Sequence, residues 1–132
     1  MQNILSRIFS INKIRPPKAV LLSFIEHFGD SINIEWHRED KNYEAVFYIN
    51  DMEHIALFAP DGSVLEKKRN LVLAEALPAI SGQARAIGEM MNLIQIERGD
   101  VTFFEVIARD LYLDRYYLLL EASGTILEQK KL

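Results

Sequence analysis

The sequence predicts an α+β fold, a tandem αββββ repeat whose strands join into one long antiparallel sheet with the helices packed on one face. Three observations carry that expectation. The stretch from Ile55 to Lys68 returns from Tyr117 to Lys130, with Asp61-Gly62-Ser63-Val64-Leu65-Glu66 matched by Ser123-Gly124-Thr125-Ile126-Leu127-Glu128. Upstream, Tyr43-Glu44-Ala45 returns as Phe104-Glu105-Val106. Self-similarity at an offset of about sixty residues is the mark of a duplicated unit. In each copy a run of helical period then gives way to the two-residue period of strands. Finally, turn residues punctuate the strands at Pro60-Asp61-Gly62, Gly99-Asp100 and Ser123-Gly124. The chain therefore reads as a single domain over 1–132, built of repeats at about 16–70 and 71–132 behind an N-terminal amphipathic segment, 1–14.

Each element has a local reason. Ile4, Leu5, Ile8 and Phe9 share one face of a short helix, which predicts a segment that docks on the domain. With Arg7, Lys13, Arg15 and Lys18 nearby, the same stripe also suits a membrane surface. Pro16-Pro17 opens the next helix, where a missing N–H costs nothing. Val20, Leu21, Phe24, Ile25 and Phe28 form its buried face, and Gly29 stops it. Ile32, Ile34 and Trp36 alternate with polar residues, as a strand does. Further strands are expected at 43–50, 53–59 and 63–69, with Glu39 to Asn42 and Asp51-Met52 as connections.

The second unit opens on Leu71 to Leu77, which reads either as an extended lead-in or as a helical turn. Pro78 starts a helix expected to reach Asn92, with Ile80, Ala84, Ile87 and Met91 inward. Gly82 and Gly88 weaken it by roughly 1 kcal/mol each against alanine. Strands follow at 93–98, 101–110, 114–122 and 125–130.

Composition excludes several function classes. A net charge of -4 with scattered Lys and Arg argues against nucleic-acid binding, which needs a basic stripe to neutralise phosphates. No cysteine is present, so thiolate catalysis and Cys-ligated metals are out. No apolar run is long enough to span a membrane. The first residues lack the apolar core of a secretion signal, so the chain as written reads as intracellular.

Catalytic and metal-ligating patterns are equally thin, and neither a catalytic residue nor a cofactor is expected. His27, His37 and His54 stand in no metal-ligand spacing with one another. Glu35 with His37, or Glu53 with His54, could supply zinc ligands, but solvated sheet-edge residues account for them more simply. No glycine-rich phosphate cradle and no Gly-x-Ser-x-Gly elbow is present. Asp110 and Asp114 resemble an acid/base couple only in type; flanking a hairpin, they are ordinary turn residues.

One family pattern does run through these residues. Pro17, Phe28, Trp36-x-x-Glu39 and Tyr43-Glu44-Ala45-x-Phe47 resemble the first half of PepSY-like domains. Phe58-x-x-Asp61-Gly62-x-x-Leu65 and Leu77-Pro78-x-Ile80 continue the match. Over about residues 15 to 130 the chain resembles the two-repeat β-lactamase-inhibitor-like (BLIP-like) proteins of Bacteroidetes. That resemblance implies a non-enzymatic fold, usually exported to the periplasm or cell surface, whose relatives bind partner enzymes through the sheet. It supplies no catalytic residues.

Aligning the copies assigns the strand faces. Ile34, Trp36, Ala45, Phe47, Ile55 and Leu57 are expected to face the helices, together with Ile94, Ile96, Val106, Ala108, Tyr117 and Leu119. The opposite face then carries Ala56 and a candidate interaction set of Val46, Tyr48, Phe58, Phe103, Ile107, Tyr116, Leu118 and Leu120. A sheet with one wet face should be polar there, and this one is not. Three occupants fit: a protein partner, a cover from a second copy or the chain's own N-terminal segment, or a ligand around which the sheet curls. The function expected is binding, in the manner of an inhibitor-like module acting on a peptidase or other enzyme. The alternative is a small-molecule or lipid carrier.

Overall fold

Proline places the first helix. The carbonyl of Pro17 accepts from the backbone N–H groups of Val20 and Leu21, and helix α1 runs Lys18–Phe28. The computed structural model describes residues 14–29 and 31–132, so the amphipathic segment expected over 1–14 lies outside the described residues except for Ile14. After α1 come strands β1 (Ile32–Glu39), β2 (Asn42–Ile49), β3 (Met52–Phe58) and β4 (Val64–Asn70). A 3-10 turn at Leu73–Glu75 leads to helix α2 (Pro78–Ile87). Then follow β5 (Glu89–Arg98), β6 (Val101–Arg109), β7 (Arg115–Glu121) and β8 (Ile126–Lys131). The eight strands form one antiparallel sheet in the order β1 to β8, giving the expected α+β class with a long sheet. By contacts the chain divides into two compact units, Met1–Lys67 and Lys68–Leu132.

In the first unit the core is aromatic. Val20 and Phe24 of α1 bury against Ala45, Phe47, Ala56 and Phe58. The Phe24 ring meets Phe47 edge-on with centroids 5.0 Å apart, and Trp36 at 5.4 Å, geometries that aromatic quadrupoles favour. Leu21 and Ile25, expected in this face, are exposed instead. The buried stripe is Val20, Phe24 and half-buried Phe28, spaced four residues apart. A helix lying across a few strands covers only that narrow line, and one residue further turns the side chain by about 100°.

The second unit's core is aliphatic. Ile80 and Ala84 of α2 pack on Leu93, Val106, Ala108, Leu118 and Leu120, with Phe104 beside them. Here the helix stops at Ile87, five residues short of the expected Asn92. Gly88 marks the reason: a Cβ at this position would overlap the carbonyl of Arg109. The backbone crosses β6 there, and Glu89 pairs with Arg109 to begin β5. Met91 consequently sits at a bulge between Met90 and Asn92, exposed rather than inward.

Both units end their third strand in the same turn. Ala59 N–H donates to Ser63 O and Gly62 N–H to Ala59 O, each at 2.9 Å. In the second unit Glu121 donates to Thr125 and Gly124 to Glu121, also at 2.9 Å. Gly62 and Gly124 both adopt φ +94, a region that only glycine enters freely. Each also sits under the start of a helix, against Ala19 and Ala79 respectively.

Strand pairing corrects the face assignment. The turn between β2 and β3 has two residues, Asn50 and Asp51, so Ala45 stands opposite Ala56 and Tyr43 opposite Phe58. Odd positions of β2 therefore share a side with even positions of β3. Ile55 and Leu57 face away from α1, and Phe58 is core. Across the longer β6–β7 loop, Val106 pairs with Leu118 and Phe104 with Leu120, so even pairs with even. Tyr117 and Leu119 face away from α2, while Leu118 and Leu120 are core. A one-position error in register moves a whole strand to the other face, and here it inverted β3 and β7. Ile94 and Ile96 change sides as well, because Leu93 is the β5 residue that reaches the α2 core.

Candidate interaction face

The eight candidate residues therefore separate. Phe58, Leu118 and Leu120 are fully buried beneath the helices and are available to no partner. Tyr116, opposite Ala108, shares the helix side with Leu118. Val46, Tyr48, Phe103 and Ile107 do lie on the side turned away from the helices, all of them half-buried.

In the first unit that open side reads across the strands as Glu35, Val46 and Ile55, then His37, Glu44 and Leu57. Tyr48 stands opposite Glu53 and donates its hydroxyl to Glu53 Oε2 at 3.1 Å. His37 Nε2 lies 3.8 Å from Glu35 Oε2. His54 is not part of this group. It pairs with Phe47 on the helix side and stacks on that ring, centroids 5.5 Å apart and 17° from parallel. His27 donates from Nδ1 to the carbonyl of Ser23 within α1. The imidazoles of His37 and His54 thus lie on opposite sides of the sheet and cannot converge on one substrate. Among the described residues no group of three or more His, Asp or Glu side chains could hold a metal ion.

The open side of the second unit is more aromatic and more highly charged. Ile96, Phe103 and Glu121 form one row; Ile94, Glu105, Leu119 and Glu128 form the next. Ile107, Tyr117 and Lys130 form a third. Charged stems lie over the rings: the Arg98 guanidinium is 5.6 Å from the Phe103 centroid, and the Lys130 ammonium 5.1 Å from that of Tyr117. Lys68 Nζ reaches Glu105 Oε1 at 3.9 Å, and Lys130 Nζ reaches Glu128 Oε1 at 3.6 Å. Burial raises the Tyr117 phenol above its ordinary value, and the carboxylates of Glu105 and Glu128 raise it further. The open side is thus not the uniformly apolar face expected from the sequence. Apolar and aromatic side chains alternate with carboxylates and with cations whose stems partly cover them.

Among the described residues, the apolar side chains most open to solvent lie elsewhere. Leu111, Tyr112 and Leu113, in the β6–β7 loop, are 99%, 87% and 69% exposed. Asp110 and Asp114 bracket them and act within the loop. Asp110 Oδ1 accepts from Tyr112 N–H at 2.9 Å and from Asp114 N–H at 3.0 Å. Asp114 Oδ2 takes an ion pair from Lys131 Nζ at 3.2 Å. In the sequence these residues are a turn between two strands, and the Leu-Tyr-Leu run between two turn aspartates is the one local sign of an exposed apolar tip.

Known structures share this architecture. A proposed periplasmic protein from Bacteroides eggerthii superposes with a TM-score of 0.80 at 18% identity, covering 89% of this chain and 90% of that one. A DUF2874 family protein from Bacteroides uniformis gives 0.78 at 15% identity, over 89% and 90%. A BLIP-like protein from Bacteroides fragilis gives 0.74 at 16% identity, over 90% and 88%. No protein-family model matches the chain, and no curated protein matches its sequence. At such identities the likeness establishes architecture alone: this chain has the fold of the BLIP-like and DUF2874 proteins of Bacteroides.

Proposed function

We propose that the chain is a non-enzymatic binding protein that engages a protein partner through the open side of its sheet. One observation carries this reading. In the second unit, half-buried Phe103, Ile107, Tyr117 and Leu119 are interleaved with the paired charges Lys68–Glu105 and Lys130–Glu128. Aromatic and aliphatic centres with a charged surround suit a protein interface: the apolar part supplies binding energy, and the charges set register and suppress wrong partners. The histidines are dispersed over both sides of the sheet, which favours binding over hydrolysis. The description of a similar structure as BLIP-like supports an inhibitor-like role, and that of another as a proposed periplasmic protein supports an exported setting.

The two units are, in this reading, copies of one αββββ module within a single domain. Support comes from the matched turns at Gly62 and Gly124, with the same φ and the same hydrogen-bond pattern. Duplication would give the open side two related but differently decorated halves, both carrying glutamates, with Tyr48 in the first and Phe103 and Tyr117 in the second.

The test is capture from the soluble extract of the encoding organism, followed by reconstitution with the purified partner. Replacing Ile107 and Leu119 with Ser should abolish capture and leave the circular-dichroism spectrum unchanged. A bound apolar compound in the native mass spectrum, lost in the same variant, would assign the face to a carrier instead. A concentration-dependent dimer lost in that variant would assign it to self-association.

A further inference from the structure

We infer that the β6–β7 loop is a preformed plug, its Leu111-Tyr112-Leu113 tip shaped to enter an apolar pocket on a protein partner. The inference rests on the binding-protein reading but concerns a different surface.

The tight hairpin turns elsewhere in the sheet are polar. Asp40-Lys41, Asn50-Asp51, Asp61-Gly62 and Gly99-Asp100 present charged, amide or glycine residues to water. This one presents three large apolar side chains, two of them almost wholly solvated. Solvent exposure of such side chains has no local benefit to the fold.

Backbone conformation sharpens the point. Among the described non-glycine residues with positive φ, Asn33, Asp40, Asn50 and Asp51 have the short polar side chains that tolerate that region. Leu113, at φ +67, does not. An asparagine or glycine would relieve the turn, so leucine is held here against the backbone's preference. Strain of this kind persists where the surroundings overdetermine it, and it concentrates at binding sites.

The surroundings do overdetermine it. Asp110 N–H donates to Asp114 O, and Leu113 N–H to Asp110 O. Both carboxylate oxygens of Asp110 are engaged, Oδ1 by the loop backbone and Oδ2 by the Tyr116 hydroxyl at 3.2 Å. The backbone of the tip is therefore held before binding, which lowers the backbone part of the ordering cost an anchor would otherwise carry.

Charge narrows the occupant. Around the base, Glu89 pairs with Arg109 at 3.0 Å and Asp114 with Lys131, leaving Asp110 and Arg115 of opposite sign. The collar is balanced, so it has no net attraction for an anionic lipid surface or for nucleic acid. A neutral collar of alternating charge matches the polar rim of a protein pocket. A concave space of about 430 Å³, lined by Gly88, Glu89, Arg109, Asp110, Leu111 and Leu113, lies beside the tip, so insertion into a second copy is the competing outcome that crosslinking must separate.

Site-specific photo-crosslinking tests this. A photoreactive phenylalanine analogue is placed at position 112, and separately at 107, in the full chain. Each protein is irradiated in the soluble extract of the encoding organism, and the adducts are mapped by mass spectrometry. Position 112 should crosslink to apolar residues within a concave site of one protein. Adding Leu111→Ser and Leu113→Ser should cut that adduct roughly tenfold or more, the loss an interface anchor carries. The result stands whether or not position 107 also reacts. Crosslinking from 107 but not 112 overturns the plug and leaves the binding reading in place; no protein adduct from either overturns both. An adduct to another copy of the chain also overturns the plug. So does sedimentation with phosphatidylcholine–phosphatidylglycerol vesicles that Leu111→Ser removes.

Discussion

The hydroxyl of Tyr116 donates to Oδ2 of Asp110 at 3.2 Å, joining the first residue past β6 to the second residue of β7. One carboxylate thereby organises both the loop backbone and the strand that follows.

That bond has a titration signature. Burial raises the Tyr116 phenol above its ordinary 10.0, with the Asp110 hydrogen bond and charge adding to the rise. Burial likewise raises Tyr117, ahead of its two carboxylate neighbours. Lys131 is raised above 10.5 by its hydrogen bond to Asp114. In all three the folded state holds its proton more tightly. Their stabilisation is thus complete below pH about 10 and is lost as pH rises through the raised values. Chemical unfolding should show stability falling above pH 10, and Asp110→Asn should bring part of the phenolate absorbance to lower pH. Phenolate absorbance unmoved by Asp110→Asn would contradict the assignment.

The two turn glycines should rank. Gly62 and Gly124 share φ +94, so alanine strains both. At Gly62 a Cβ would also meet the Ala19 carbonyl oxygen at 2.7 Å, whereas at Gly124 the nearest atom is the Ala79 side chain at 3.0 Å. Gly62→Ala should cost more than about 1 kcal/mol, and Gly124→Ala less than Gly62→Ala. Gly82 is the control: it is helical, exposed and has open space around it. Gly82→Ala should stabilise by up to about 1 kcal/mol in urea unfolding.

Leu113 should trade stability for binding. Leu113→Asn relieves a left-handed leucine and should raise unfolding stability by about 1 kcal/mol while weakening partner capture. Equal stability with unchanged capture would count against the loop as an anchor.

Much of the architecture was legible because it depends on short-range chemistry. Pro78 at the first helical position, the paired Asp61-Gly62 and Ser123-Gly124 turns, and the alternation in β2 and β6 are written locally. What failed depends on how segments meet. Whether Phe58 or Leu57 is core is decided by the Asn50-Asp51 turn having two residues, a count that alternation within β3 alone cannot supply. The early end of α2 depends on Gly88 touching Arg109, more than twenty residues away in sequence. Val46, Tyr48, Phe103 and Ile107 lie on the open side, as expected, because the alternation within β2 and β6 fixes their phase. Ile55, Leu57, Tyr117 and Leu119 were missed with the phase of β3 and β7. Glu44 and Glu105 share that side, a feature that apolar periodicity alone does not display.

A serine scan along β7, with unfolding free energy and partner capture measured on each variant, tests the central claim most directly. Leu118→Ser and Leu120→Ser should each lose about 2–5 kcal/mol of stability, as buried large-to-small changes do. Tyr117→Ser and Leu119→Ser should stay folded and lose capture. Two opposed alternations along four consecutive residues are the expected result. Capture that falls only in step with stability, and survives at Tyr117 and Leu119, would show that the open side of the sheet is not the binding face.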